Sequence, residues 1–194
     1  MKGLTLANGG SKANRRELDF YPTPPEATHA IMKFLNLPIS CIWEPACGNG
    51  AMSEVIKKYN HDVISSDIRD DTGYGTGEID FLHGITPKKQ VDAIITNPPF
   101  CLSVEFIIRA ISIAPTVAML LKSQYWHSAK RIDLFNNHPP SFVLPLSWRP
   151  DFGGGGAPTM DVLWTVWQKG VSDTKYRILS KPNKGNQDTL FPLR

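Results

Sequence analysis

The sequence predicts an α/β fold: a doubly wound, mainly parallel sheet closed by an antiparallel pair of strands. Three observations predict it. Between residues 24 and 137, short apolar runs of strand length alternate with segments of helical periodicity. A glycine-bearing turn, "CGNG", separates the first of those runs from the helix after it. Two further apolar runs, "SFVLPL" and "VLWTVWQ", then follow with no helix between them. Strand–helix alternation favours parallel pairing, because each crossover helix covers a face of the sheet, and such sheets bind ligands at the carboxyl ends of their strands.

Taken in order, "TPPEATHAIMKFLNL" opens with prolines suited to a helix start and places Ala30, Ile31, Phe34 and Leu35 along one stripe. "SCIWEP" is a strand and "AMSEVIKKYN" a helix with Met52, Val55, Ile56 and Tyr59 on one face. "HDVISSDI" is a strand ending at Asp67, and a polar, glycine-rich stretch (70–78) leads to "IDFL". Strand "VDAIIT", a helix over "LSVEFIIRAISIA", strand "TVAMLL" and a helix around "SAKRIDLFNN" complete the alternation. Between the closing strands lies "SWRPDFGGGGAPTMD", whose four consecutive glycines predict a mobile loop rather than a tight hairpin turn.

At 194 residues and 41% hydrophobic composition, the chain suits one sizeable core. The expected organisation is a flexible basic N-terminus (1–18), one domain (19–170) and a flexible basic tail (171–194). No apolar run approaches the roughly 20 residues of a membrane span, and the N-terminus lacks a signal peptide's apolar stretch, so a cytoplasmic protein is expected. The three cysteines (Cys41, Cys47, Cys101) lack paired spacing and read as reduced thiols rather than a disulfide or metal framework. The net charge is +3, unevenly spread: residues 1–16 carry four basic groups and no acid, and residues 169–194 six basic and two acidic. Basic ends suit a polyanionic partner, although solvated tails are also often basic.

A glycine turn and the acids that follow it carry chemistry. In "EPACGNG", Gly48 and Gly50 permit positive φ and close approach of a ligand to the backbone. Asp67 ends the next strand, where a carboxylate accepts both hydroxyls of a ribose. Beyond it, at what is expected to be the next strand end, Asp80 is placed to accept a base amino group, and Phe81 or Ile68 to stack on the base.

In these residues the chain resembles the class I S-adenosylmethionine-dependent methyltransferases, which have a Rossmann-like fold, and in particular the small bacterial or phage DNA adenine-N6 methyltransferases. "FYPTPPE" (20–26), "EPACGNG" (44–50), Asp67, "DF" (80–81) and "NPPF" (97–100) carry the resemblance in chain order. It implies S-adenosylmethionine as cofactor, held by Tyr21, Thr23, Glu44, Ala46, Gly48, Asp67, Asp80 and Phe81. It implies catalysis by Asn97, Pro98, Pro99 and Phe100 on DNA. Related N-P-P-Y/F enzymes methylate RNA bases or a protein glutamine, so an RNA base methyltransferase is one alternative. A non-catalytic nucleic-acid or clamp-binding module on the same fold is the other.

The motif has a chemical rationale. The lone pair of an adenine exocyclic amine is delocalised into the ring, which makes it a poor nucleophile. An amide oxygen (Asn97) and a backbone carbonyl (Pro98), each accepting one N–H, favour a tetrahedral nitrogen with a localised lone pair. Phe100 offers a ring face for the extruded base. No metal or nucleophilic cysteine is needed, and Cys101 is expected as a small packing residue under the site. In the glycine-rich loop, Arg149 is expected on phosphate and Trp148 or Phe152 beside a flipped base. Finally, "QDTLF" near the C-terminus resembles the Q-x-x-L-F motif that docks on the bacterial sliding clamp, with Gln187, Leu190 and Phe191 as its contacts.

Overall fold

The structure, a computed structural model, describes residues 21–38 and 40–183. The N-terminal segment (1–18) and the clamp motif residues Gln187, Leu190 and Phe191 lie outside the described residues.

Helix α1 (Pro25–Leu35) starts where Pro24 and Pro25 preset the backbone and stops at Asn36, whose left-handed φ of 41° ends the helix. Strand β1 (Cys41–Glu44) is buried along its whole length, as a central parallel strand must be. Helix α2 (Ala51–Lys57) follows the glycine turn, and β2 (Asp62–Ser65) is the half-exposed edge. Next come β3 (Ala93–Thr96), a 3-10 turn (Phe100–Leu102), α3 (Ser103–Ile113) and β4 (Thr116–Lys122). Two 3-10 turns and α4 (Ile132–Asn137) lead to β5 (Phe142–Pro145), β6 (Val162–Gln168) and β7 (Lys175–Tyr176).

The sheet runs β2-β1-β3-β4-β6-β5-β7. The first four strands pair in parallel. Strand β6 then enters antiparallel between β4 and β5, with Thr116 opposite Gln168 at one end and Lys122 opposite Val162 at the other. The doubly wound sheet with its antiparallel closing pair is therefore present. Each face has its own core. Ile31 of α1 packs with Ile42, Ile95, Leu120 and Trp164 on one face. Phe106 and Ile107 of α3 pack with Trp43, Ile94, Val117 and Trp167 on the other. The Trp164 indole donates 3.0 Å to the Ala27 carbonyl and so pins α1 to β6.

Two expectations are corrected. The segment expected as a tail from 171 is tied down as far as residue 179: β7 pairs with β5, and Leu179 is buried with its N–H on the Pro145 carbonyl. The "IDFL" segment is no strand end. Asp80 accepts from the backbone N–H of Leu82 at 2.8 Å and makes a turn there, and among the described residues a Ser66–Thr76 bridge continues the edge beyond β2. The 151–156 loop is organised by Asp151, whose carboxylate accepts from Gly153 N–H (3.2 Å) and Gly156 N–H (2.6 Å). No helix among the described residues is long and apolar enough to cross a membrane.

Candidate functional site

The glycine turn, Asp67 and the Asn-Pro-Pro-Phe segment meet at the carboxyl ends of β1, β2 and β3. At the turn, Gly48 and Gly50 adopt φ of 50° and 81°. Gly50 has no room for a side chain, since a Cβ there would lie 2.4 Å from the Tyr74 ring. Gly48 N–H donates 2.7 Å to one Asp67 oxygen, and Arg69 N–H donates 3.0 Å to the other. Each carboxylate oxygen keeps a second lone pair, so Asp67 can hold the turn and still accept from a ligand.

Beneath the turn lies Glu44, only 2% exposed. It accepts from the Ser53 hydroxyl, which also bonds Ser65 Oγ at 2.6 Å. Burial pushes the Glu44 carboxyl up to about 8; the Ser53 hydrogen bonds oppose that shift, and the nearby Asp67 charge adds to it. The expectation that Glu44 contacts a cofactor is thus corrected: its carboxyl is spent tying β1 to α2. Phe81 is corrected too. It is 3% exposed, with Trp43 and Phe106 rings 5.1 and 4.8 Å away, so its ring is core and has no free face. Of the two residues expected to stack on a base, only Ile68 is exposed, at 66%. Asp80 stays half-exposed, but its carboxylate bonds the backbone of Leu82 and, at 3.1 Å, the His83 ring; the latter contact mainly depresses its pKa.

Asn97 sits one residue beyond β3. Its Nδ2 donates 3.1 Å to Thr23 Oγ1, which joins the T-P-P element to the N-P-P-F element. Its Oδ1 is buried and has no partner. An orphaned amide oxygen is costly in a folded protein and calls for a ligand or a water to explain it. Behind it Pro98 is buried, while the carbonyls of Pro99 and Phe100 accept from Leu102 N–H and Ser103 Oγ. Half-buried Phe100 carries the Lys122 ammonium 4.5 Å from its ring centroid. Cys101, expected to pack beneath the site, is exposed.

The glycine-rich loop borders the T-P-P element. Phe152 meets Tyr21 edge-on at 6.4 Å, and both border the T-P-P element. Thr23, Pro24, Ala51, Asp151 and Phe152 line a cleft of about 530 Å³ there. Arg149 is held by Asp161, with Nε 2.6 Å and Nη2 3.4 Å from its two oxygens, so its charge is matched. Trp148 packs against the α1-side core. Lys122, Tyr74 and Ser53 were missed in the sequence reading. Only Lys122 leaves a signal there, as a charge that ends the apolar run "TVAMLLK".

Comparison with solved structures places the architecture. A type I restriction-modification system methyltransferase subunit from Streptococcus thermophilus aligns over 82% of this chain with a TM-score of 0.63 and 12% identity. The match covers 47% of that subunit, so this chain spans about half its length. A candidate class I S-adenosylmethionine-dependent methyltransferase from Listeria monocytogenes aligns over 88% of this chain and 67% of its own, at TM-score 0.58 and 15% identity. A candidate RNA methyltransferase from Pyrococcus horikoshii aligns over 73% and 79%, at 0.57 and 13%. The chain has the class I methyltransferase fold. No family model and no curated protein sequence matches it.

Proposed function

We propose that this protein transfers a methyl group from S-adenosylmethionine to the exocyclic N6 amine of adenine in DNA. The observation that carries the reading is the buried, unpartnered Asn97 Oδ1 at a strand end, held in place through its own Nδ2. That oxygen is an acceptor without a donor, and an adenine amine is a donor without an acceptor.

The residues present fit the cofactor. Gly48 gives close backbone approach, Asp67 has acceptor capacity for ribose hydroxyls, and Ile68 offers an exposed apolar surface beside it. The cleft between Thr23, Ala51 and Phe152 takes the methionine end. When bound, S-adenosylmethionine supplies an electrophilic methyl group. The protein's part is to position the nucleophile. Asn97 Oδ1 accepts one N6–H, the Pro98 carbonyl accepts the other, and Phe100 stacks on the base, which must leave the duplex to arrive there. Holding both reactants in line supplies much of the acceleration. After transfer the amine proton passes to solvent.

Labelled methyl transfer to matched DNA and RNA, followed by identification of the modified nucleoside, tests this. N6-methyladenine in the DNA arm is expected. Product confined to RNA, or no transfer to either, overturns it. Docking of Gln187–Phe191 on a sliding clamp is a separate proposal, and calorimetric titration of the full chain against a bacterial clamp checks it, with loss of binding expected on Leu190→Ala/Phe191→Ala.

A further inference from the structure

The base is proposed to stack on Phe100, yet that ring already has a partner. Strands β3 and β4 run in parallel with Thr96 opposite Met119, so Lys122 ends β4 beside the Pro99–Phe100 turn. Side chains alternate along a strand. Ala118 and Leu120 face the α1 core, and Lys122 projects to that same side. Asn97 also points there, since its amide reaches Thr23 just ahead of α1. The ammonium therefore stands at the mouth of the site, 4.5 Å from the Phe100 centroid.

Its electrostatic situation is unusual. Among the described residues the Lys122 ammonium has no carboxylate partner and no side-chain hydrogen bond, and it rests on the Phe100 ring. The neighbouring acid, Asp161, lies next to Val162, the residue opposite Lys122 in the β4–β6 ladder. Arg149 has already taken that acid in a two-point ion pair. The loop arginine expected on phosphate is thus neutralised, while an unmatched cation sits beside the proposed base site. A cation on an aromatic face in a water-accessible site is held only loosely.

We propose that Lys122 is the phosphate-binding residue of the active site. In the free protein its ammonium rests on Phe100. When the flipped base takes that ring, the flexible four-carbon stem carries the ammonium to the backbone phosphate of the same nucleotide. The exchange also takes a positive charge away from the place where a cationic methyl donor must approach Asn97. The inference rests on the nucleic-acid methylation reading above and assigns Lys122 a positioning role.

Two variants test it. Lys122→Met keeps the stem over Phe100 without the charge, and Lys122→Arg keeps the charge. The readouts are kcat/KM on bulk DNA from 50 to 200 mM salt, anisotropy of a fluorescent DNA duplex over the same range, and calorimetric affinity for S-adenosylmethionine. Lys122→Met should flatten the slope of log kcat/KM against log salt by about 0.9, the worth of one phosphate contact on duplex DNA. It should also raise the Michaelis constant for DNA roughly tenfold at the lowest salt, by analogy with the loss of one charge-assisted contact. Lys122→Arg should restore the slope, and cofactor affinity should hold in both. A Lys122→Met slope equal to wild type, with the wild type methylating DNA, overturns this inference alone. A wild type that neither methylates nor binds DNA overturns the functional reading and this inference together.

Discussion

Asn97 and Thr23 are joined by one hydrogen bond, from Nδ2 to Oγ1 at 3.1 Å, and that bond leaves the opposite end of the amide without a partner. The two residues are 74 positions apart in the chain. Thr23 thus holds the Asn97 amide in one orientation, and the proposed mechanism makes Oδ1 the working atom. Asn97→Ala should lower kcat by at least about a hundredfold with little change in cofactor affinity, because a positioned polar contact at a reacting centre is worth a few kcal/mol. Thr23→Val, which removes that hold and keeps the side chain's shape in the cleft, should cost about tenfold, in keeping with a single lost hydrogen bond. Single-turnover rates on DNA check both, and near-wild-type turnover of Asn97→Ala would refute the mechanism.

Asp67 accepts from the Gly48 and Arg69 amides, and the proposed function gives it a second duty toward the cofactor. Asp67→Ala should weaken S-adenosylmethionine binding by calorimetry and should also lower thermal stability, since two backbone donors lose their acceptor. Unchanged cofactor affinity would place the ribose elsewhere.

Glu44 makes stability depend on pH in an uncommon direction. Its folded pKa of about 8 lies above the ordinary 4.5, so between those values the native state holds a proton that the unfolded chain has released. Unfolding free energy should therefore fall as pH rises through that window, by up to about 1.4 kcal/mol per pH unit from this group. Urea titrations at several pH values measure the slope. Glu44→Gln, which keeps a neutral acceptor for Ser53, should remove most of that decline. A wild-type curve that rises across the window would refute the assignment.

The proposed function puts Phe152 on the cofactor side of the site. It borders the same cleft as Thr23 and Ala51 and touches Tyr21. Phe152→Ala should raise the dissociation constant for S-adenosylmethionine several-fold, as loss of one aromatic contact does, and leave the Michaelis constant for DNA unchanged. The reverse pattern would return this residue to DNA recognition.

The backbone plan was legible because its signals are local. Periodicity marked α1 and α3, continuous apolar runs marked β1, β3 and β4, and the glycine turn announced itself between β1 and α2. Side-chain roles that depend on contacts across the sheet were not legible. Nothing near Glu44 in sequence shows Ser53 folding beneath it. Phe81 follows an acid, as a base-stacking residue would, yet only the packed Trp43 and Phe106 rings reveal it as core. Arg149 looked free until Asp161, 12 positions later, closed on it. The ordering of residues 171–179 was hidden as well, because β7 has two exposed residues and earns its place only by pairing with β5.

The position of β6 sets the order in which this molecule can be made. It is the sixth strand to leave the ribosome but lies between the fourth and fifth in the sheet, and Trp164 bonds to Ala27 across 137 positions. Until residue 168 has emerged, β4 and β5 each present an unpaired edge, and α1 lacks one of its principal packing partners. Contacts so distant in sequence slow folding and leave sticky intermediates exposed meanwhile. Deleting the residues after 170 removes β7 but should still allow β1 to β6 to collapse into their native order. Ending the chain before Val162 should yield an aggregating product, although every proposed catalytic residue would still be present.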